Sequence, residues 1–259
     1  MMSFILFVFG TIVGSFLNVC IYRLPRNESV VSPGSHCGAC GKPIRWYDNL
    51  PVLSYFLLRG KCRDCGVSFS AQHALVEFLT GMLFVAFYHF FGLEAMGLIY
   101  LIFTLAVLVE SLIDFEHKII PDEITLSGIV LGIILSCFFP MMHGANSWWE
   151  GLLASVIGVF IGGGFLYLIA VIAEFFLKKE AMGGGDVKLL AMFGAFLGFR
   201  GVLWALMMGS FAGSIAGLYF KFKKKEEQIP FGPFLGLGAI FYIFYGQAVI
   251  AWYLNRIGL

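Results

Sequence analysis

Charged residues are scarce in this sequence. They make up 13% of the 259 residues, whereas a typical soluble domain has roughly 25%. Hydrophobic residues make up 59%, which excludes a soluble globular protein and predicts a polytopic membrane protein. The formal net charge is only +1, and the basic residues form no stripe, so we expect no nucleic-acid partner.

A cleavable secretory signal is also lacking. Residues 1–22 are apolar over the roughly 20 residues that a bilayer crossing needs, but they have no basic leading segment and no small-residue cleavage site. We therefore predict a retained first transmembrane helix. Together with seven later apolar runs, it predicts an all-α fold of about eight transmembrane helices. These runs are 73–91, 95–113, 123–141, 151–176, 187–199, 201–220 and 231–255.

Only one long polar stretch is present, residues 23–72, between the first and second predicted helices. It contains seven of the 17 lysines and arginines. If the N-terminus lies outside, 15 of these basic residues lie on the cytoplasmic side and only Arg200 and Arg256 lie outside. The positive-inside rule selects this orientation. We therefore expect the polar stretch to be cytoplasmic.

Four of the six cysteines lie in this polar stretch. They form two C-x-x-C pairs with 21 residues between them, and glycine follows each pair. This spacing predicts one tetrahedral four-cysteine zinc site. Two disulfides or a redox dithiol are the alternatives, but a cytoplasmic location and the lack of a βαβ pattern disfavour them. Four thiolates leave zinc no open position, so the ion would be structural; the predicted ligands are Cys37, Cys40, Cys62 and Cys65.

Two aspartates are predicted to lie at the same, cytoplasmic end of the helix bundle. Asp114 ends the third apolar helix, and Asp186 begins the sixth. Two facing carboxyl groups can share a proton and activate a water molecule, which is the chemistry of aspartic peptidases. The glycines that precede Asp186 leave the backbone open to an extended substrate; they are Gly183, Gly184 and Gly185.

Other interpretations of these acids remain open at this stage. Asp186 alone could be a helix cap, and Asp122 fits a structural role in the first turn of a helix. Glu110, one turn from Asp114, could be a neutral hydrogen-bonding partner, a third acid or a cation site. An ion-coupled transporter is a further alternative, because carboxylates inside membranes also mark ion sites.

Five motifs in order resemble the type IV prepilin peptidase family, a group of membrane aspartic peptidases with a glycine-x-glycine-aspartate signature. The first are "GSFLNVCIYRLP", from Gly14 to Pro25, and the two cysteine pairs that flank "DNLPVLSYFLLRGK". The others are "IDFEHKIIPD", "MGGGDVKLL" and "PFGPFL". By motif position, the resemblance implies that Asp114 and Asp186 are the catalytic residues.

The resemblance also implies a bifunctional enzyme of the bacterial plasma membrane. Such enzymes cleave the leader of type IV prepilins or pseudopilins and then methylate the new N-terminus with S-adenosylmethionine. The implied domains are a first helix (1–22), a methyltransferase-associated zinc module (23–72) and a seven-helix peptidase domain (73–259). A peptidase without methylation is the alternative. No nucleotide-binding glycine loop is present, and the candidate cofactor residues are Asp48, Asn49 and Glu77. Whether a pilus or a type II secretion system is served stays open.

Overall fold

Helices account for almost all of the regular structure in the computed structural model. The structure describes residues 1–177, 183–224 and 230–257. Three of the 15 basic residues counted above, Lys178, Lys179 and Lys225, lie outside the described residues, and so does Met182 of the "MGGGDVKLL" motif. Over these ranges there is no β-strand, only two isolated bridges, His36 with Pro43 and Lys61 with Ser68. The predicted all-α class is therefore confirmed.

The chain forms two compact units, Met1–Leu101 and Ile102–Leu259, and the boundary falls within the helix Ala95–His117. In the first unit, short 3₁₀ turns cover Leu24–Arg26 and Trp46–Asn49. Its helices are α1 (Met2–Arg23), α2 (Leu53–Leu57), α3 (Gln72–Phe91) and the first residues of α4 (Ala95–His117).

Helices α1 and α3 pack closely because glycines line their contact. A Cβ atom added at Gly10 would lie 2.8 Å from the Cα atom of Gly81, and one at Gly14 would lie 2.7 Å from the Cα atom of Glu77. Only hydrogen fits at such positions, so the two backbones approach each other directly. The residues between these helices, from Leu24 to Ala71, form a polar module with little buried surface.

The second unit contains the rest of α4 and all later helices. They are α5 (Asp122–Phe138), α6 (Trp148–Val159), α7 (Leu166–Leu177), α8 (Gly184–Lys224), α9 (Gly232–Phe241) and α10 (Gln247–Ile257). A 3₁₀ turn, Pro140–His143, precedes α6. Single π-helical segments, Phe160–Phe165 and Tyr242–Gly246, join α6 to α7 and α9 to α10.

Helix α8 forms the core of the second unit. Every residue from Leu189 to Leu197 is buried, and Phe103 packs on Phe193 and Phe196 with ring centroids 5.4 and 4.9 Å apart. On another side of α8, a Cβ atom at Gly158 would overlap the backbone of Gly194, and the reverse also holds. The apolar run predicted at residues 187–199 is too short to cross the bilayer alone. This packing shelters it from lipid.

The predicted division of this region into two helices is visible as a break in α8. Gly198 has φ 65° and ψ −176°, a conformation that glycine adopts readily and that interrupts the helix. Six described helices are long and apolar enough to cross a membrane. With the 17-residue α5 and with α8 divided at Gly198, the number of apolar helical segments agrees with the prediction of about eight.

Candidate active site and metal centre

The four cysteines predicted to bind metal come together in the first unit. The Sγ atoms of Cys37, Cys40, Cys62 and Cys65 all lie within 4.8 Å of one another, and those of Cys37 and Cys65 are 3.8 Å apart. Four thiolates at about 2.3 Å from a tetrahedral zinc ion would be about 3.8 Å from each other. None of the four is in a disulfide. The cluster is therefore placed to hold a metal ion.

Two tight turns of the same kind build this cluster. In the first, the Cys37 N–H donates to the Lys42 carbonyl and the Gly41 N–H donates to the Cys37 carbonyl; in the second, Cys62, Val67 and Gly66 repeat the pattern. Gly41 and Gly66 have φ values of 70° and 73°, which explains why glycine follows each pair. Backbone N–H groups of Cys40 and Ala39 lower the pKa of the Cys37 thiol to about 6, which favours the thiolate at that position. At Cys65 the backbone N–H of Val67 lowers the pKa of the thiol, but desolvation and the neighbouring cysteines outweigh it and raise the pKa to about 11.

A cavity of about 590 Å³ lies beside the cysteines within the first unit. This volume is in the range of small-molecule binding sites. The three residues suggested by the sequence as cofactor contacts, Asp48, Asn49 and Glu77, all line it. Sequence reasoning could not place this cavity, because its wall combines the polar module with α1 and α3.

The three candidates differ in their surroundings. Arg63 holds the Asp48 carboxylate with three hydrogen bonds of 2.6–3.1 Å, and these hydrogen bonds lower the pKa of Asp48. Glu77 instead accepts a 2.7 Å hydrogen bond from the backbone N–H of Val52. Asp48 thus forms an ion pair with Arg63, whereas Glu77 accepts a hydrogen bond from a neutral backbone amide.

Asp114 lies near the end of α4 and is 6% exposed. Its Oδ2 atom accepts a 2.9 Å hydrogen bond from the backbone N–H of Gly232, 118 residues away. Gly232 begins α9, and a Cβ atom there would lie 2.8 Å from this oxygen. A helix N-terminus therefore points an amide at the carboxylate, and glycine is required for the approach.

Asp186 lies in the first turn of α8 and is partly buried. The two aspartates that the sequence pairs both lie in the second unit, within electrostatic range of each other. Gly183 and Gly184, which precede Asp186, are exposed, and no atom lies within 4 Å of a Cβ atom added at Gly184. Gly185 is closer to protein, since its Cβ atom would lie 3.0 Å from that of Ile120.

Two further acids near this site have clear and different environments. Asp122, in the first turn of α5, pairs with Lys188 of α8 at 2.6 and 2.8 Å. Glu110 is 1% exposed, and neither of its carboxylate oxygens has a hydrogen-bond partner among the described residues. Its spacing from Asp114 places it one turn deeper on the same helix. The ion pair of Asp122 is consistent with the structural role expected for it.

Comparison with known proteins shows the family of the chain. Residues 8–91 match the bacterial peptidase A24 N-terminal domain, and residues 101–218 match the type IV leader peptidase family. Two curated relatives from Pseudomonas species are each named prepilin leader peptidase/N-methyltransferase. The protein of Pseudomonas putida is 32% identical over 97% of this chain and 93% of its own length, and that of Pseudomonas aeruginosa is 33% identical over 96% and 92%.

A relative from Myxococcus xanthus is 39% identical over 82% of this chain, but the match spans only 61% of that protein. No solved structure matches the chain significantly. The apolar helices and the family matches define a membrane-embedded peptidase, with a four-cysteine module that is placed to hold a metal ion. The chain belongs to the type IV leader peptidase family, as its motifs predict.

Proposed function

We propose that this protein cleaves the leader peptide of type IV prepilins or pseudopilins and then methylates the new N-terminus with S-adenosylmethionine. The relatives that carry both activities in their names match nearly the whole chain. The observation that supports cleavage most directly is the pair formed by Asp114 and Asp186, with the Gly232 N–H bonded to Asp114. Both aspartates are proposed as the catalytic residues.

In the proposed cleavage, the two carboxyl groups share one proton and hold a water molecule between them. The ionised carboxylate takes a proton from the water, and the water oxygen attacks the scissile carbonyl carbon while the protonated carboxyl group donates its proton to the carbonyl oxygen. As the C–N bond breaks, the carboxyl group that took the water proton gives it to the amide nitrogen, and the hydroxyl of the tetrahedral intermediate returns its proton to the other carboxylate, which restores the dyad. The Gly232 N–H keeps Asp114 in one orientation, so that this dyad is assembled before substrate binds.

The glycines of the signature give the substrate access to this dyad. Gly183 and Gly184 expose backbone next to Asp186, and an extended peptide can bond to such backbone as a strand does. We propose residues Gly183–Gly185 as the substrate-access loop. An extended leader fits this role, because a peptide bond inside a helix is closed to attack.

For methylation, we propose that S-adenosylmethionine binds in the cavity of the first unit, which Asp48, Asn49 and Glu77 line. We propose zinc as the ion of the four cysteines, where it would fold the polar module and take no part in chemistry. The domain limits stay those predicted from the sequence, 1–22, 23–72 and 73–259. We further propose a bacterial plasma-membrane location, with the N-terminus outside and the zinc module and active site cytoplasmic.

Intact-mass spectrometry of a prepilin tests this proposal. The prepilin is incubated with purified enzyme and S-adenosylmethionine, beside the Asp114→Asn and Asp186→Asn variants. We expect the wild-type enzyme to remove the leader and add one methyl group. Each variant should cleave slower by about 10³-fold or more, since general acid–base catalysis contributes this much. An unchanged prepilin mass with the wild-type enzyme would contradict the proposal.

A further inference from the structure

Three acidic side chains line the cavity of the first unit, and their partners differ in charge. Asp48 pairs with Arg63 at 2.6 Å, and Asp64 pairs with Lys42 at 3.2 Å. Glu77 instead receives a hydrogen bond from the backbone N–H of Val52, which is neutral. The charges of Asp48 and Asp64 are thus matched by cations, whereas the bond from Val52 to Glu77 brings no positive charge.

A strained backbone orients the Glu77 carboxylate. Val52 has φ 62°, which is a genuine outlier for a β-branched residue. In this conformation its N–H donates to Oε2 of Glu77 at 2.7 Å. A carboxylate has about four acceptor positions, so this bond leaves it able to accept further donors. Strain kept at such a place is typical of a binding site.

Further acceptors lie beside Glu77 on α1. Ser15 and Asn18, three residues apart, share a helix face and line the same cavity. The Asn18 amide nitrogen donates to the His73 carbonyl at 2.9 Å, which leaves the amide oxygen as an acceptor. A carboxylate with a hydroxyl and an amide oxygen beside it matches a primary ammonium group, which has three donors and one positive charge.

Glu77 also lies at a suitable depth. It is in the second turn of α3, about 8 Å along the helix from its first residue at 1.5 Å per residue. The end of a membrane helix that adjoins a polar module is where the lipid core gives way to polar surroundings. A substrate whose amine is at the start of its own apolar helix would hold that amine at such a boundary.

We propose that Glu77 binds the α-ammonium group that leader cleavage creates and accepts the proton that this group loses before methylation. This inference rests on the proposed function. The ammonium N–H bond breaks and its proton passes to Glu77. The nitrogen lone pair then forms the N–CH₃ bond, while the S–CH₃ bond of S-adenosylmethionine breaks and sulfur keeps its electron pair as a thioether. Glu77 is then a catalytic residue of methyl transfer.

The Glu77→Gln variant tests the charge alone, because the amide oxygen of glutamine still accepts from the Val52 N–H. The ligand is a synthetic peptide that begins at the mature N-terminal residue of a pilin. We expect its affinity to fall about tenfold or more, because one partner of a charge pair is lost. Methylation of this peptide should fall by about 10²-fold, and the affinity for S-adenosylmethionine should not change. Glu28→Gln, at an exposed residue outside the cavity, is the matched control.

Four results would overturn the inference. Normal methylation by Glu77→Gln would mean that Glu77 has only a structural role, as the hydrogen-bond acceptor of the Val52 N–H. Weakened binding of S-adenosylmethionine would assign Glu77 to the cofactor. Equal binding of the free and the N-acetylated peptide to the wild-type enzyme would show that the amine is not recognised, and this comparison holds even if the variant misfolds. A wild-type enzyme that cleaves but never methylates would remove the methyltransferase proposal, and the Glu77 assignment with it.

Discussion

The polar module of the first unit and the helical core of the second are stabilised in opposite ways. Between residues 27 and 70, only Ser54 and Gly60 are buried, so apolar burial contributes little there. In the second unit, nine consecutive residues of α8, Leu189–Leu197, are buried. A module without its own core depends on cross-links or metal for its stability, whereas membrane helices are stabilised by close packing against each other. We therefore expect the module to be destabilised by loss of metal and the helical core to be destabilised by changes in packing.

Loss of metal should separate the two regions most strongly. In Cys37→Ser, or after treatment with a strong chelator, the module loses its proposed ion and with it most of its folding free energy. We expect methylation to fall by about 100-fold or more, whereas leader cleavage persists. Limited proteolysis between residues 27 and 70, measured with metal content, checks this. A module that keeps its protease resistance without metal would contradict it.

Gly232→Ala should disturb the aspartate pair directly. The added Cβ atom would lie 2.8 Å from Asp114 Oδ2, so either the carboxylate or the start of α9 must move. A displacement near 1 Å costs about 10- to 100-fold in rate. Steady-state cleavage of a prepilin measures the effect. Gly164→Ala is the control, because no atom lies within 4 Å of the Cβ atom it adds; equal rates for the two variants would refute this prediction.

Gly158→Ala should lower stability more than it lowers chemistry. Its Cβ atom would overlap the carbonyl of Gly194, and overpacking of this kind costs about 1–3 kcal/mol. Thermal unfolding of the enzyme in detergent should show a lower Tm at unchanged metal content. An unchanged Tm would mean that α6 and α8 are less tightly packed than the structure shows.

The smallest effect is expected at the ion pair between Asp122 and Lys188. Both side chains are partly exposed, at 53% and 41%, and pairs of this kind contribute about 0–1 kcal/mol. Lys188→Met should therefore change the Tm by no more than a few degrees and leave cleavage near the wild-type rate. A loss of cleavage as large as that of Gly232→Ala would mean that Asp122 belongs to the catalytic machinery.

Periodicity and spacing predicted the features that depend on local sequence. The apolar runs give the helices, the paired C-x-x-C motifs give the sulfur cluster, and the glycines with Asp186 mark the second acid. These features need only a few neighbouring residues to be recognised. The sequence also predicts that Asp114 and Asp186 lie on the same side of the membrane, because Asp114 ends its helix and Asp186 begins another. Their catalytic role stays a prediction.

Features that depend on distant contacts could not be predicted. The hydrogen bond from Gly232 to Asp114 joins residues 118 apart, although "PFGPFL" marks its location. The positive φ of Val52 contradicts the preference of valine, so tertiary contacts such as that with Glu77 must impose it. The π-helical segments at Phe160–Phe165 and Tyr242–Gly246 likewise carry no periodic signal. These features depend on tertiary packing, which local sequence patterns do not predict.

The division of labour between the two units is tested most directly by the Asp186→Asn variant. It would be given S-adenosylmethionine with a prepilin and, separately, with a peptide that begins at the mature N-terminal residue, and both products would be weighed by mass spectrometry. We predict an uncleaved prepilin and a peptide heavier by one methyl group. A variant that still cleaves would contradict the role of Asp186, and loss of peptide methylation together with cleavage would contradict the separation of the two sites.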